Sequence, residues 1–430
     1  MPANSGPALV LIAAVAALVM ANLPVGGAYH RLWESTVSVE LVGAHVLDLT
    51  LRDVVNDALM TLFFFLVSLE IKRELLFGVL RDRRAAALPI VAAVGGMAVP
   101  ALIYTAFNAG GPHLQGWGIP MATDIAFAVA ILAALGNRVP LGARMFLLTL
   151  AIVDDLGAIL VIAVFYSAGI ALGWLLAAAG TVLAALGLQR VGVQALWAYI
   201  ALGVMGWFAL HESGVHPTII GVAFGLITPA SAAVSSRRYR RVTSRLVNRL
   251  VSHTDDRAVA DEEHERNHPT LQSIRRLTRR TQPPLHGIMN SLAPYVGFGI
   301  VPVFAFANAG LDFPDVPPSD WLLDRVVLGI ALGLVFGKTL GIFGFAWLTA
   351  RLGLARYPVG MTSAHLFGVA VTGGIGFTVA IFVANLAFDD SGVIDIAKLG
   401  ILLGSLIAAV TGYLVLRFNS RPEADGDALR

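Results

Sequence analysis

LAIVDDLGAIL, residues 150–160, sets two adjacent carboxylates inside an apolar run: between Arg144 and Arg190 the only Asp, Glu, Lys or Arg residues are Asp154 and Asp155. A soluble helix needs a solvated face, and this stretch has none to offer. It reads instead as two passes through a bilayer, each needing about 20 apolar residues. The whole chain agrees. Its 430 residues are 57% hydrophobic and 13% charged, with mean hydropathy +0.76, whereas soluble domains are roughly half apolar and a quarter charged. Two soluble domains would fit the length but would not leave charge-poor runs beyond 40 residues. With no cysteine, disulfides, thiolate metal sites and cysteine nucleophiles are excluded. A pI near 9.0 raises nucleic acid as a partner. The arginines cluster in loops beside apolar runs, which is a signal of topology, so no nucleic-acid partner is expected.

On the bilayer ruler the sequence predicts twelve spans: 8–24, 54–76, 87–108, 118–136, 145–167, 172–189, 194–211, 215–229, 287–310, 326–349, 360–386 and 397–417. Arg81, Arg83 and Arg84 follow the second, Arg138 and Arg144 flank the turn after the fourth, and Arg190 follows the sixth. Arginine is dense after the eighth, Arg351 and Arg356 follow the tenth, and Arg417 closes the twelfth. The alternate loops, such as DFPDVPPSDWLLD (312–324) and DDSGVID (389–395), are acidic or neutral. Even-numbered exits therefore face the cytoplasm, and so do both termini.

The first span, PALVLIAAVAALVMANL, is either retained or a cleaved signal peptide; the missing Lys/Arg region ahead of it argues for retention. Residues 29–50 include the alternation Thr36-Val37-Ser38-Val39-Glu40-Leu41, which reads as an external hairpin or a plain loop, and as a surface for a homodimer. Residues 231–286 carry RRYRR, DD and DEEHER and form a cytoplasmic polar insert. Within it RRYRRVTSRLVNRLV is either a basic amphipathic helix on anionic lipid or part of a solvated loop. The organisation is one transmembrane transporter domain, 8–417, followed by a cytoplasmic tail, 418–430.

An Asp or Lys at a bilayer centre costs about 2.5–3.5 kcal/mol on insertion scales, so each calls for a reason. Asp124 is the only charge between Arg84 and Arg138, Asp154 and Asp155 share the fifth span, and Lys338 is the only charge between Arg325 and Arg351. A buried ion pair used only for packing would leave the balance negative, at three acids to one base. Neighbouring helix positions point about 100° apart, so the doublet splits: one acid can line a wet cavity while the other turns to a partner, and Lys338 is the available cation. Desolvation and like-charge repulsion favour proton uptake by one member of such a pair, which titrates as a unit. Carboxylate oxygens also suit a hard cation such as Na+. A site that takes either is what exchange requires.

The second signal is helix breaking. WGIPMATDIAFA holds Gly118, Pro120 and Thr123-Asp124 in mid-span, and VTGGIGFT holds Gly373, Gly374 and Gly376. Such interruptions in one segment of each half point to a midplane transport site. They aim helix N-termini and C-termini into the membrane, with Asp124 expected to compensate the former and Lys338 the latter.

These residues resemble the NhaA family of bacterial Na+/H+ antiporters. The resemblance lies in DALMTLFFFLVSLEIKREL (57–75), ATDIAFAVAILAALGNRVP (122–140), FLLTLAIVDDLGAILVIAVFY (146–166), SGVHPTIIGV (213–222), VPVFAFANAG (301–310), GKTLGI (337–342) and GGIGFTVAIFVANLAF (373–388). It implies an all-α polytopic fold of twelve helices, with inverted three-helix repeats (spans 3–5 against 10–12) and two discontinuous helices crossing at midplane. It implies Asp155 and Asp154 as cation and proton carriers (the metal site, for Na+), Lys338 as the partner of Asp154, and Thr123-Asp124 at the crossing. Glu70, Arg73 and Glu74 match the family's entrance and pH-response cluster, and His216 the histidine of its SGVH motif. Read without the family, EIKRE is an ordinary charged helix end and His216 a loop-edge residue. Two departures stand out: Met289, Asn290 and Ala293 replace the acidic and histidine residues usual before PYVGFG, and the 231–286 connection is long for the family.

The function implied is an electrogenic Na+(Li+)/H+ antiporter in the bacterial cytoplasmic membrane. It extrudes sodium by alternating access for pH and sodium homeostasis, with no cofactor beyond the transported ions. A cation-coupled solute symporter would need a larger polar cavity than these sparse polar residues offer. An intramembrane aspartyl protease would need YD and GxGD motifs on separate helices, and neither occurs. No enzymatic role is expected.

Overall fold

The structure is a computed structural model that describes residues 5–41, 44–167, 169–193, 195–230, 283–312 and 321–419. Nearly all of the insert expected at 231–286, most of the tail expected at 418–430 and residues 313–320 of the acidic loop lie outside the described residues. Two compact units are distinguished: residues Met1–Leu226 with Pro294–Arg430, and residues Ile227–Ala293.

In chain order the elements are α1 (Ser5–Asn22), α2 (Gly26–Glu34), β1 (Thr36–Leu41), β2 (Ala44–Thr50), α3 (Leu51–Phe77) and α4 (Arg83–Asn108). A 3-10 segment, Leu114–Met121, leads into α5 (Ile125–Ala134), followed by α6 (Leu141–Phe165), α7 (Leu172–Val191), α8 (Leu196–Ser213) and α9 (Thr218–Ile227). The chain continues with α10 (Pro284–Asn308), α11 (Arg325–Arg351), α12 (Ser363–Thr372), α13 (Phe377–Ala387) and α14 (Ser391–Asn419). Among the described residues nine helical segments are long and apolar enough to cross a membrane, and the pair α12–α13, bent by 47°, makes a tenth. The protein is a multi-pass α-helical membrane protein.

Three segments differ from the sequence expectation. At 215–229 the helix is only Thr218–Ile227, ten residues between Pro217 and Pro229, or about 15 Å of rise against a hydrocarbon core near 30 Å. The last helix begins at Ser391 rather than 397, because Asp390 caps it, its Oδ1 accepting from the amides of Gly392 (2.8 Å) and Val393 (3.1 Å). The hairpin at 36–50 is present, antiparallel from Thr36↔Thr50 to Leu41↔Ala44 with a bulge at Val39/Glu40, but residues 29–34 before it are helical. Tyr29 and Trp33, four apart, bury one face of that short helix against Phe306. The Tyr29 hydroxyl donates to the Phe306 carbonyl at 2.7 Å, and burial pushes this phenol up to about 12, so it stays a donor.

Helices α4, α5, α6, α11, α12 and α14 share an apolar core that includes Leu88, Leu132, Phe146, Ile342, Val369 and Leu416. Helices α4 and α11 approach closely. A Cβ on Gly341 would run into the Gly95 carbonyl, and one on Gly95 into that of Gly341, so two glycines let the backbones touch. This contact sets the height of Lys338, one turn earlier on α11 and directly after a π-helical turn, Gly333–Gly337.

Candidate functional site

The two segments with helix-breaking signals are interrupted, and their breaks meet. Before α5 the chain is extended at Ala122 (φ −69°, ψ 144°) and Asp124 (φ −88°, ψ 98°); between α12 and α13 lie residues 373–376. The Asp124 amide donates to the Ile375 carbonyl at 2.6 Å, stitching one break to the other. The three glycines of the second break have ordinary backbone angles, since none is among the positive-φ residues. Their need is closeness: a Cβ on Gly374 would strike the Leu334 carbonyl, and one on Gly373 would lie 2.6 Å from Ile342 Cδ1.

One carboxylate serves both helix starts. Asp124 Oδ1 accepts from the amides of Ala126 (3.1 Å) and Phe127 (3.3 Å) at the head of α5, while Oδ2 accepts from the Thr378 amide (3.2 Å) and hydroxyl at the head of α13. Ser405 of α14 adds a second acceptor to α13, taking the amides of Gly376 and Phe377 at 3.2 and 3.1 Å. Orphan N–H groups and two positive dipole ends are thus satisfied by one buried anion and one hydroxyl. At the opposite pole, the carbonyl of Gly373 ending α12 receives the Thr123 hydroxyl at 2.9 Å. Lys338, expected to answer that negative end, is engaged elsewhere.

Lys338 is fully buried, and its Nζ lies 2.5 Å from Asp154 Oδ2. Asp154 is 2% exposed, and its Oδ1 is enclosed without a hydrogen bond. The Thr123 hydroxyl is near enough to bear on this carboxylate but donates to Gly373. Asp155, 6% exposed, has no hydrogen bond or ion pair among the described residues; Asp154, Glu70, Asp124 and Lys338 supply the charges that act on it. The doublet therefore splits as helix geometry requires: one acid paired, the other not. Unpaired carboxylate oxygen in a water-poor enclosure is chemistry for a proton or a hard cation. Among the described residues no three histidine, aspartate or glutamate side chains converge as at a tight metal centre.

The remaining predicted residues fall in two places. Glu70, Arg73 and Glu74 sit at the Arg81 end of α3, where Glu74 is 5% exposed and its Oε1 accepts from the Val79 amide at 2.6 Å, capping the turn after the helix. His216 lies at the other end. Its Nδ1 is 4.0 Å from Asp57 Oδ1, and His211 Nδ1 is 3.8 Å from Asp57 Oδ2. Asp57 and Glu74 are seventeen positions apart on α3, about 25 Å along a helix, so His216 does not join the Glu70 group. Three participants had no sequence signal as charges in mid-membrane: Thr378 and Ser405, which hold the crossing, and Lys398, 4% exposed and bonded to Asp395 (2.9 Å) and the Gly310 carbonyl (3.2 Å). The spacing Asp395-x-x-Lys398 was the available clue, and it reads as an ordinary charged helix end.

Comparison with known proteins gives this site a family. A family model described as Na+/H+ antiporter 1 matches residues 2–416. The chain is 45% identical over 414 residues to the Na(+)/H(+) antiporter NhaA of Anaeromyxobacter sp. (strain Fw109-5), covering 96% of this chain and 89% of that one. It is 44% identical over 404 residues to the NhaA of Janthinobacterium sp. (strain Marseille), covering 94% and 88%. To NhaA 1 of Myxococcus xanthus (strain DK1622) it is 44% identical over 415 residues, covering 96% and 90%. With the match running through both interrupted helices and the aspartate doublet, the chain belongs to the Na+/H+ antiporter 1 family.

Proposed function

We propose that this chain extrudes Na+ in exchange for H+ by alternating access, with Asp154 and Asp155 as the shared site. One observation carries the reading: an unpaired, enclosed Asp155 stands beside the Asp154–Lys338 ion pair where two interrupted helices cross. Asp155 is the principal cation ligand, for Na+ and Li+ alike. Asp154 exchanges its proton or its lysine as the cation arrives, and hydroxyl and carbonyl oxygens at the breaks complete the coordination. Asp124 and Thr123 keep the helix ends compensated whichever ion is bound. If two protons enter for each Na+ that leaves, one net charge moves inward per cycle, worth about 2.3 kcal/mol per 100 mV of membrane potential.

The positive-inside distribution supports a bacterial cytoplasmic membrane protein with both termini, the 231–286 insert and the 418–430 tail inside. On this reading there are twelve membrane segments, with α8 the seventh and the short α9, which does not cross the hydrocarbon core alone, the eighth. The interrupted segments are the middle members of spans 3–5 and 10–12, which supports the inverted repeat. Glu70, Arg73 and Glu74 line the cytoplasmic entrance; Glu70, whose charge reaches Asp155, tunes its pH response, while Glu74 holds the turn after α3. His216 belongs to the external side. Among the described residues the two-stranded hairpin pairs with no third strand, which supports pairing of its edge with a second copy.

The test is proton flux in proteoliposomes, with Na+, Li+ and K+ added in turn across pH and membrane potential. Na+ and Li+ are expected to drive protons across the membrane at a rate that responds to potential. The reading is lost if no cation moves protons; flux indifferent to potential removes only the two-for-one ratio.

A further inference from the structure

Apart from α7, α8 and α9, the helices pack as two sets. One contains α4, α5, α6, α11, α12, α13 and α14; the other contains α1, α2, α3 and the Pro294–Asn308 part of α10. The sets meet along few lines, among them α10 against α13 and α3 against α6. At the first of these Phe382 of α13, fully buried, packs on Phe64 of α3 (5.2 Å between ring centres) and Phe304 of α10 (6.2 Å). One turn outward on both α10 and α13 the contact becomes polar. Asn385 Nδ2 donates to Asn308 Oδ1 at 2.8 Å, and Asn308 Nδ2 donates to Asn56 Oδ1 at 2.8 Å and to the Phe304 carbonyl at 3.1 Å.

The chain of amides has a fixed polarity. Both N–H groups of Asn308, 1% exposed, are engaged within its own set, so its oxygen is the only group it can turn across the boundary. Asn385 must then present nitrogen, which settles both amide orientations. Asn56 sits in a π-helical turn, Val54–Leu59, that re-aims side chains at the start of α3. The three residues lie at the helix ends that the arginine distribution places outside, and the crossing bond is the one link of this chain of amides between the sets.

We propose that Asn56, Asn308 and Asn385 form a latch that holds the external side of the transport site shut. This rests on the alternating-access reading. Opening outward separates the sets along the Phe382–Asn385 face, and a single net hydrogen bond is worth roughly a factor of five to ten in an equilibrium, so the latch sets the population of closed protein without locking it. Asn385 and Asn308 are positioning residues: their hydrogen bonds run along the chain of amides and not to Asp154 or Asp155.

The chain has no cysteine, so two spin labels go only where cysteines are placed. Leu32 on α2 (50% exposed), which is fixed to α10 through Tyr29, and Asp389, exposed just beyond α13, report the two sets. Distances between labels at Leu32→Cys and Asp389→Cys are measured in the full-length protein in vesicles. Asn385→Ala is expected to add a longer-distance population, raising the open fraction by roughly five- to tenfold. Asn56→Ala, at a half-buried position, is expected to do the same to a smaller extent. Unchanged distributions in both variants overturn the latch. Sodium-driven proton flux of the labelled, otherwise unaltered chain is recorded in parallel, so failure of the exchange reading shows as absent flux and failure of the latch as unmoved distances.

Discussion

Lys338 and Lys398 are both buried in long helices, yet they are held in opposite ways. Lys398 pairs with Asp395 three residues earlier on its own helix and donates to the Gly310 carbonyl just past the end of α10. Its charge is neutralised locally, one to one, and the arrangement closes a helix end. Lys338 reaches Asp154 on another helix, 184 residues away in sequence. Around it three carboxylates, Asp124, Asp154 and Asp155, answer to one ammonium. Asp124 is occupied by helix starts and Oδ2 of Asp154 by the lysine, which leaves Oδ1 of Asp154 and the whole of Asp155. Burial of a charge therefore does not by itself separate the two lysines; what separates them is the carboxylate left over beside Lys338 after local and long-range pairing, which is why the exchange site is proposed there.

The largest expected effect tests that contrast directly. Asp155→Asn is expected to abolish sodium-driven proton flux in proteoliposomes, whereas Asp395→Asn keeps it; loss in both, or in neither, breaks the comparison. Next comes the ion pair. Lys338→Met leaves Asp154 enclosed without its partner, an expected loss of about 3–5 kcal/mol on thermal unfolding in detergent. The double variant Asp154→Asn/Lys338→Met should recover more than half of that loss, and additive losses would show that the pair is not coupled. Lys398→Met should cost less, about 1–3 kcal/mol, because it strands one carbonyl while Asp395 retains some access to water. Flux should persist in that variant.

The crossing was legible because charges in apolar runs are few and Gly/Pro interruptions fall beside them: Asp124, Asp154, Asp155 and Lys338 needed only counting. What a charge count passes over is neutral polarity and partnership between helices. Asn308 and Asn385 sit inside VPVFAFANAG and TVAIFVANLAF without altering any charge tally, and Ser405 is one neutral hydroxyl in LLGSLI. Their roles come from which backbone lies opposite, which single-sequence periodicity does not encode. Gly373, Gly374 and Gly376 signalled the break but for another reason than turning: their backbone angles suit any residue, and it is the passing backbone of Leu334 and side chain of Ile342 that exclude a Cβ. The α2 helix escapes sequence reading because the strong alternation of Thr36–Leu41 dominates the short segment before it.

The smallest effects separate members of the Glu70–Arg73–Glu74 cluster, which as a motif looks uniform. Glu74 is a structural residue. Its carboxylate accepts the Val79 amide and fills the space beside Gly78, where a Cβ would collide with it. Glu74→Gln keeps an acceptor oxygen in that place, so stability should change by less than about 0.5 kcal/mol, while Glu74→Ala should lose about 1 kcal/mol with the cap. Glu70 is different, since its charge acts on Asp155 and no hydrogen bond ties it down among the described residues. If two protons exchange for one Na+, one negative charge fewer beside the site weakens proton binding more than sodium binding, and Glu70→Gln should move the pH profile of exchange toward lower pH. Glu74→Gln should leave the profile in place. A shift in the Glu74 variant with none in the Glu70 variant would reverse the two assignments and make the turn, rather than the charge that reaches Asp155, the origin of the pH response.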